Sequence, residues 1–84
     1  MINRYTLVKL GKNQFDLFEK INDNSFKSLE TGIIYNTGVD LEEYIKTKMN
    51  LEILISSDDL VEISERIKQH DTKGIQYRFA KYLK

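Results

Sequence analysis

The chain has no cysteine, no proline and no tryptophan, and its four glycines are isolated from one another. Without cysteine, the protein can form neither disulfide bridges nor zinc sites with thiolate ligands. Isolated glycines do not make the loops that hold phosphates or dinucleotides. Long hydrophobic runs are also missing, whereas a membrane-spanning helix needs roughly 20 consecutive apolar residues. These absences favour a cytoplasmic protein with no cofactor, no bound metal and no membrane partner.

The composition that remains is typical of a folded domain. Hydrophobic residues make up 40% and charged residues 31% of the 84 positions, and there are five tyrosines and four phenylalanines. This balance is that of a globular protein, not of a disordered one. A chain of this length forms one domain with a small core, so residues 1–84 are predicted to be a single domain. The frequent Ile, Lys and Asn residues are typical of AT-rich bacterial or phage genomes.

The charged residues are segregated, although their formal sum is zero. Residues 40–72 contain nine acidic and four basic side chains, whereas residues 73–84 contain four basic side chains and no acidic one. Such a chain can neutralise itself internally, or it can present an acidic and a basic pole to partners. The pattern alone does not choose between these two arrangements.

The first third of the chain has the alternating pattern of a β-hairpin. Residues 4–10 and 14–21 alternate apolar and polar side chains, which predicts two antiparallel strands. A three-residue loop would pair Leu10 with Gln14, whereas a two-residue turn at residues 12–13 would shift the pairing by one. Because a shift of one residue exchanges the faces of a strand, the two registers predict different cores. The sequence leaves both registers open.

Four further strands are predicted beyond the hairpin. A third strand near residues 26–30 and a short fourth strand near residues 33–35 extend the hairpin into a β-meander. The apolar run at residues 51–55 is predicted to be a short strand between two helices. Residues 75–84 alternate apolar and polar side chains and also fit a helix, but their aromatic content favours a strand.

Two amphipathic helices are predicted from apolar residues at helical spacing and from capping residues. Asp40 is a typical N-cap for the first helix, and Ser56 or Ser57 for the second. We expect Glu62 and Arg66 to pair on the outer face of the second helix, since they are four residues apart. The apolar residues at helical spacing are Leu41, Tyr44, Ile45 and Met49 in the first helix, and Leu60, Ile63 and Ile67 in the second.

These elements predict an α+β fold in which an antiparallel β-meander of three to four strands is packed on one face by both helices. A strand between the helices and a C-terminal strand complete the sheet. The other face of the sheet would then stay open and expose Val8, Leu10 and Phe18, which are the predicted protein-interaction residues. The predicted core residues are Tyr5, Leu7, Phe15, Leu17, Leu29, Ile34, Leu41, Ile45, Ile53, Ile55, Leu60, Ile63, Ile67, Ile75 and Phe79.

No group of side chains in the sequence has the pattern of an active site. His70 is the only histidine, and we interpret it as a residue of the last helical turn, where the helix dipole favours it. Asp58, Asp59 and Glu62 are interpreted as a solvated first turn, because adjacent helical carboxylates do not converge on one ion. The sequence therefore predicts no catalytic residue, no metal ligand and no enzymatic activity.

The leading functional hypothesis is a small protein–protein interaction module, such as a regulator or inhibitor of a bacterium or mobile element. Its acidic and basic poles suit docking by charge complementarity. An open apolar face would be covered by another protein or by a second copy of the chain in a homodimer.

The alternative hypothesis is a nucleic-acid-binding protein that uses its C-terminal segment. Cations and aromatic rings are interleaved there, a combination that can follow a phosphate backbone and stack on bases. The neutral total charge argues against this alternative, since nucleic-acid binders usually carry a basic excess. The residues concerned are Lys73, Tyr77, Arg78, Lys81, Tyr82 and Lys84.

Overall fold

A computed structural model describes residues 4–11 and 14–70 of the protein. Its strands are β1 (Tyr5–Gly11), β2 (Gln14–Asn22), β3 (Ser25–Ser28), β4 (Ile34–Asn36) and β5 (Glu52–Ser57). Within the described residues these five strands form one sheet in the order β4-β3-β2-β1-β5, and all neighbours are antiparallel. Two helical segments complete an α+β fold, as predicted. The predicted C-terminal strand at residues 75–84 lies outside the described residues.

The β1–β2 hairpin combines the two registers that the sequence left open. Along most of β1 the pairing is the one that a three-residue loop requires, with Leu7 opposite Leu17. At the end of the hairpin Gly11 pairs with Gln14, as a two-residue turn requires. A β-bulge at Leu10 takes up the extra residue, so each register is correct for part of the hairpin.

The first helix, α1 (Leu41–Tyr44), continues directly into a π-helical segment (Ile45–Met49). The carboxylate of Asp40 accepts a hydrogen bond from the backbone N–H of Glu42 at 3.2 Å and caps the helix, as predicted. Asn50 ends the helical segment in the left-handed conformation, with φ 53° and ψ 46°. Asn is among the few non-glycine residues that adopt this conformation readily, which explains its place here.

The second helix, α2 (Leu60–His70), begins with two successive side-chain caps. The Ser57 hydroxyl accepts a hydrogen bond from the backbone N–H of Asp59 at 3.0 Å, and the Asp59 carboxylate accepts one from Val61 at 2.8 Å. Asp59 therefore precedes the first turn and caps it, instead of lying within it. None of the described helices is long and apolar enough to cross a membrane.

The two helices pack on opposite faces of the sheet. The faces are separated by residue parity in β1, since Leu7 belongs to the cluster under α2 and Val8 to the cluster under α1. The α2 face buries Leu7, Phe15, Leu17, Leu29, Ile63 and Ile67. The α1 face buries Val8, Phe18, Phe26, Leu41 and Ile45.

The prediction that both helices cover one face is therefore wrong, and so is the open face inferred from it. Val8 is 0% exposed and Phe18 is 1% exposed, because α1 and the π-helical segment cover them. Neither side chain is available to a partner. Ile34 was expected in the core but is 55% exposed, because it lies on β4 at the border of the sheet. Ile75 and Phe79 lie outside the described residues.

Candidate protein-interaction surface

The outer side of β5 is the longest unpaired strand side in the described part of the chain. On its inner side β5 pairs with β1 over its whole length, from Lys9 opposite Glu52 to Tyr5 opposite Ser57. On its outer side, which we call the β5 edge, no described strand pairs with it. An exposed edge presents backbone N–H and C=O groups that can pair with a strand of another molecule.

The hydrogen-bond pattern shows which groups of β5 point outward. The carbonyl of Arg4 accepts a hydrogen bond from Lys20 of β2 at 2.8 Å. Successive residues of an antiparallel strand direct their backbone N–H and C=O groups to its two neighbouring strands in turn. Leu7 lies three residues after Arg4, so its backbone groups point away from β2, towards β5 and its partner Ile55. Ser56 then directs its own N–H and C=O towards the β5 edge.

The side-chain geometry supports this assignment. Thr6 lies opposite Ser56, and their hydroxyl oxygens are 3.1 Å apart and share a hydrogen bond. Such close side chains are typical of the pairs that do not exchange backbone hydrogen bonds. Beyond a bulge at Leu54, Ile53 lies opposite Val8 and also directs its backbone groups outward.

The apolar side chains of β5 are only half-buried. Ile53 packs against the core of the α1 face, and Leu54 and Ile55 pack against the core of the α2 face. Arg66 of α2 donates a hydrogen bond to the Leu54 carbonyl at 3.0 Å, which satisfies the acceptor released by the bulge. The predicted pair of Glu62 with Arg66 does not occur among the ion pairs of residues 4–11 and 14–70.

Leu10 is the one predicted interaction residue that the structure leaves accessible. It is 46% exposed at the bulge of β1, directly after the last residue pair between β1 and β5. It therefore lies on β1 near the start of β5, and not on the outer side of β5. Its role in binding stays a prediction.

Acidic side chains outnumber basic ones from β5 into α2, while β1 places Lys9 opposite Glu52 and Arg4 beside Asp58. Residues 51–66 contain five acidic side chains, and Arg66 is the single basic one. Glu52 begins β5, Asp58 and Asp59 follow its end, and Glu62 lies one helical turn before Arg66. The carboxylate of Asp58 accepts a hydrogen bond from the backbone N–H of Arg4, and that of Asp59 accepts one from Val61.

The opposite border of the sheet has a different character. β4 spans three residues, and Ile33 and Ile34 are 52% and 55% exposed beside it. The left-handed glycines Gly32 and Gly38 turn the chain on either side, with φ 81° and 72°. A strand this short offers few backbone groups to a partner, so β5 is the better candidate.

Asp16 is the buried titratable group that most resembles a reactive site, but its contacts are structural. Its carboxylate accepts hydrogen bonds from the Ser28 hydroxyl and the Leu17 N–H, both at 2.7 Å. Burial raises the pKa of Asp16, more than these two hydrogen bonds lower it. Because Asp16 and Ser28 are 6% and 0% exposed, a substrate cannot reach them.

Asp16 and Ser28 hold the loop between β3 and β4. The Ser28 hydroxyl accepts a hydrogen bond from the backbone N–H of Thr31 at 3.1 Å while it donates to Asp16. A hydrogen bond from the Glu30 backbone also reaches the Asp16 carboxylate. The buried carboxylate therefore fixes the turn that leads into β4.

The other sequence-based site predictions are not tested by the described residues. No three His, Asp or Glu side chains within residues 4–11 and 14–70 are grouped so that they could hold a metal ion. The candidate nucleic-acid-binding residues, Lys73, Tyr77, Arg78, Lys81, Tyr82 and Lys84, lie outside the described residues. Nucleic-acid binding therefore stays a prediction.

The sequence analysis missed the β5 edge, although it predicted the strand. The apolar run at residues 51–55 predicted a strand, but strand order is not encoded in a local pattern.

No protein-family model matches the chain, and no curated protein or solved structure matches it either.

Proposed function

We propose that this protein is a non-catalytic interaction module of the cytoplasm, a small regulator or inhibitor that binds another protein by accepting a strand at the β5 edge. The observation that carries this proposal is a six-residue strand whose outer side is paired by none of the strands in residues 4–11 and 14–70, and whose apolar side chains are half-buried on both faces. Strand addition uses such an edge, since main-chain hydrogen bonds supply affinity and alternate side chains supply specificity.

Strand addition explains two features of the edge together. Ile53 and Ser56 direct backbone groups outward, which a partner strand would pair with. Ile53 and Leu54 are half-buried and offer apolar surface that a partner side chain would bury.

The proposal is tested by removing one outward N–H. In Ser56→Pro the strand loses that donor, and proline is tolerated at an edge when its missing N–H faces solvent. Ser56→Ala is the matched control, because it also loses the hydroxyl contact with Thr6 but keeps the N–H. Each protein is used as bait in an extract of the native host, and captured proteins are identified by mass spectrometry.

We expect a protein partner that wild type and Ser56→Ala both retain and that Ser56→Pro loses at least tenfold. Circular dichroism of all three proteins establishes that they share the fold. Equal capture by all three proteins would show that the β5 edge is not the binding surface. Recovery of nucleic acid alone would instead support the alternative hypothesis and contradict the proposal.

A further inference from the structure

The β4 border of the sheet has the properties of a surface that meets its own copy. Residues 31–39, which comprise β4 and the turns beside it, contain no charged side chain, although charged residues make up 31% of the chain. Ile33, Ile34 and Val39 of this stretch are 52%, 55% and 39% exposed. Within residues 4–11 and 14–70, no strand pairs with the outer side of β4. An uncharged apolar border can meet an identical border without like-charge repulsion.

The hydrogen bonds at the two ends of β4 show which of its backbone groups point into the sheet. The Ile33 carbonyl accepts a hydrogen bond from the N–H of Ser28 at 2.9 Å. The N–H of Thr37 donates one to the Asn24 carbonyl at 2.8 Å. Ile33 and Thr37 therefore both direct backbone groups towards β3 and the turn before it.

The residues between them are assigned by alternation. Successive residues of an antiparallel strand direct their backbone groups to opposite sides, so Tyr35 points the same way as Ile33 and Thr37. Ile34 and Asn36 then direct their N–H and C=O groups outward, away from β3. The side chains of Ile34 and Asn36 are both exposed. The outer side of β4 thus presents two donors and two acceptors, one of each on either side of Tyr35.

This spacing is self-complementary. When two β4 strands pair antiparallel with the two-fold axis at Tyr35, Ile34 of each copy lies opposite Asn36 of the other. Each opposed pair exchanges both of its backbone hydrogen bonds, so the contact contains about four of them. The two Ile34 side chains become diagonal neighbours on one face of the joined sheet, within reach of each other. β4 is short, but a second copy matches all of its outward groups by symmetry.

The charged groups nearest to β4 lie on other elements and have mixed signs. Lys27 lies on β3, and the Lys20 ammonium group is 3.5 Å from the Asp40 carboxylate. Asp23 and Glu30 lie in the turns at the two ends of β3. Charge attraction therefore does not drive pairing at this border, which depends on backbone hydrogen bonds and apolar burial. The contact should not weaken when salt is raised, because salt screens exposed charges only.

We infer that β4 is the contact of a symmetric homodimer, in which the β4 strands of two copies pair antiparallel about Tyr35 and join the two sheets into one. The inference goes beyond the proposed function, since it uses the border of the sheet opposite the β5 edge.

The oligomeric state of the full-length protein tests the inference. Light scattering and sedimentation between about 10 and 500 μM should show wild type passing from monomer to dimer, at about 50 mM salt and equally at about 500 mM. Asn36→Pro lacks one outward N–H, a change that a border strand tolerates, and should dimerise at least tenfold more weakly. Asn36→Ala is the matched control, because it keeps the N–H and should dimerise within about twofold of wild type.

A charge on the border is a second, independent test. Ile34→Lys brings two cations close together across the axis and should also weaken dimerisation at least tenfold. The control is Val61→Lys, which adds the same charge at a position of α2 that is 63% exposed and should leave dimerisation within about twofold. Circular dichroism establishes that all variants share the fold.

An introduced cysteine locates the axis. The chain has no cysteine, so Tyr35→Cys carries a single thiol. Directly opposed residues that do not exchange hydrogen bonds have Cα atoms about 4.5 Å apart, which is within the range of a disulfide. Under mild oxidation at about 100 μM, Tyr35→Cys should form a covalent dimer at least tenfold faster than Val61→Cys.

The contrary results are separate from those of the proposed function. A wild-type protein that stays monomeric at about 500 μM would overturn the inference and leave binding at the β5 edge standing. A dimer that survives both Asn36→Pro and Ile34→Lys would overturn it as well. A dimer that only Ser56→Pro dissociates would place the second copy at the β5 edge instead. Equal oxidation of the two cysteine variants would refute the axis at Tyr35.

Discussion

The two faces of the sheet bury side chains of different chemistry. The α2 face is almost entirely aliphatic, with Phe15 as its one fully buried ring among the described residues. The α1 face contains a group of aromatic rings, in which Phe26 stacks on Tyr35 at 4.9 Å and meets the edge of Phe18 at 5.0 Å. The α2 face is therefore stabilised mainly by burial of area, and the α1 face also by directional contacts.

Three polar side chains with specific partners also lie on the α1 face. Asp16 lies opposite Val8 and therefore on the α1 face, where Thr6 is also buried. Lys20 lies on this face as well, with its ammonium group 3.5 Å from the Asp40 carboxylate that caps α1. These groups depend on particular partners, so we expect the α1 face to tolerate fewer substitutions than the α2 face.

The largest expected effect is that of Phe18→Ala on the α1 face. It should lower the free energy of unfolding by about 3–5 kcal/mol, since it leaves a cavity and removes the ring contact with Phe26. Chemical denaturation measures the change. Ile63→Ala on the α2 face is the comparison, with an expected loss of about 2–5 kcal/mol. A Phe18 variant that is clearly the less damaging of the two would contradict the difference between the faces.

The next effect concerns the carboxylate of the α1 face. Asp16→Ala should cost about 1–3 kcal/mol, because it leaves buried donors at Leu17 and Ser28 without their acceptor. Thermal or chemical denaturation at neutral pH checks this loss. An unchanged stability would show that the loop into β4 does not depend on Asp16.

The pH dependence separates the charge of Asp16 from its hydrogen bonds. Because burial raises its pKa in the folded state, its favourable contribution is present below the ordinary carboxyl pKa of about 4 and is lost as pH rises through the folded value. Asp16→Asn does not titrate. The stability of wild type minus that of Asp16→Asn should therefore fall as the pH rises above about 4. A constant difference across this range would contradict the raised pKa.

A smaller effect is expected at the end of the helical segment on the α1 face. Asn50 holds a left-handed backbone conformation, and a residue with an ordinary Cβ pays about 1 kcal/mol to adopt it. Asn50→Ala should lower the free energy of unfolding by about this amount, whereas Asn50→Gly should leave it within about 0.5 kcal/mol. Equal losses in both variants would point to a contact of the Asn side chain instead.

The smallest effect tests whether the faces act independently. Phe18→Leu and Ile63→Val each remove a few buried atoms, and the sheet separates the two positions. Their combined effect on unfolding should equal the sum of the single effects within about 0.5 kcal/mol. A larger deviation would mean that the two cores are coupled through the shared strands.

Local patterns predicted the elements of this fold well. The cap at Asp40 was predicted from residue type and spacing, because its hydrogen bond reaches only two residues along the chain. The hairpin was predicted for the same reason. Its bulge at Leu10 was not, since it depends on how the strand ends fit the turn. At the second helix the predicted cap was Ser56 or Ser57, whereas Ser57 bonds the N–H of Asp59 and Asp59 itself caps the first turn.

The arrangement of the elements was harder to predict. Val8 and Phe18 are apolar at positions that alternate with Leu7 and Leu17, so both faces of the hairpin are apolar. This pattern was interpreted as one core face and one interaction face. It also fits a sheet covered by a helix on each side, and only the three-dimensional path of the chain distinguishes the two. The same limit hid the β5 edge, because the position of β5 beside β1 depends on a crossover and not on a local pattern.

The segment between β4 and β5 has a mechanical consequence for the protein. Residues 37–51 span the whole width of the sheet, about 19 Å for four strand spacings, and join its two border strands. Pulling either border strand away from the sheet therefore also pulls on the other border strand through residues 37–51. A single proteolytic cut within residues 37–51 would break the direct covalent link between β4 and β5. A cut between β1 and β2 would leave that link intact.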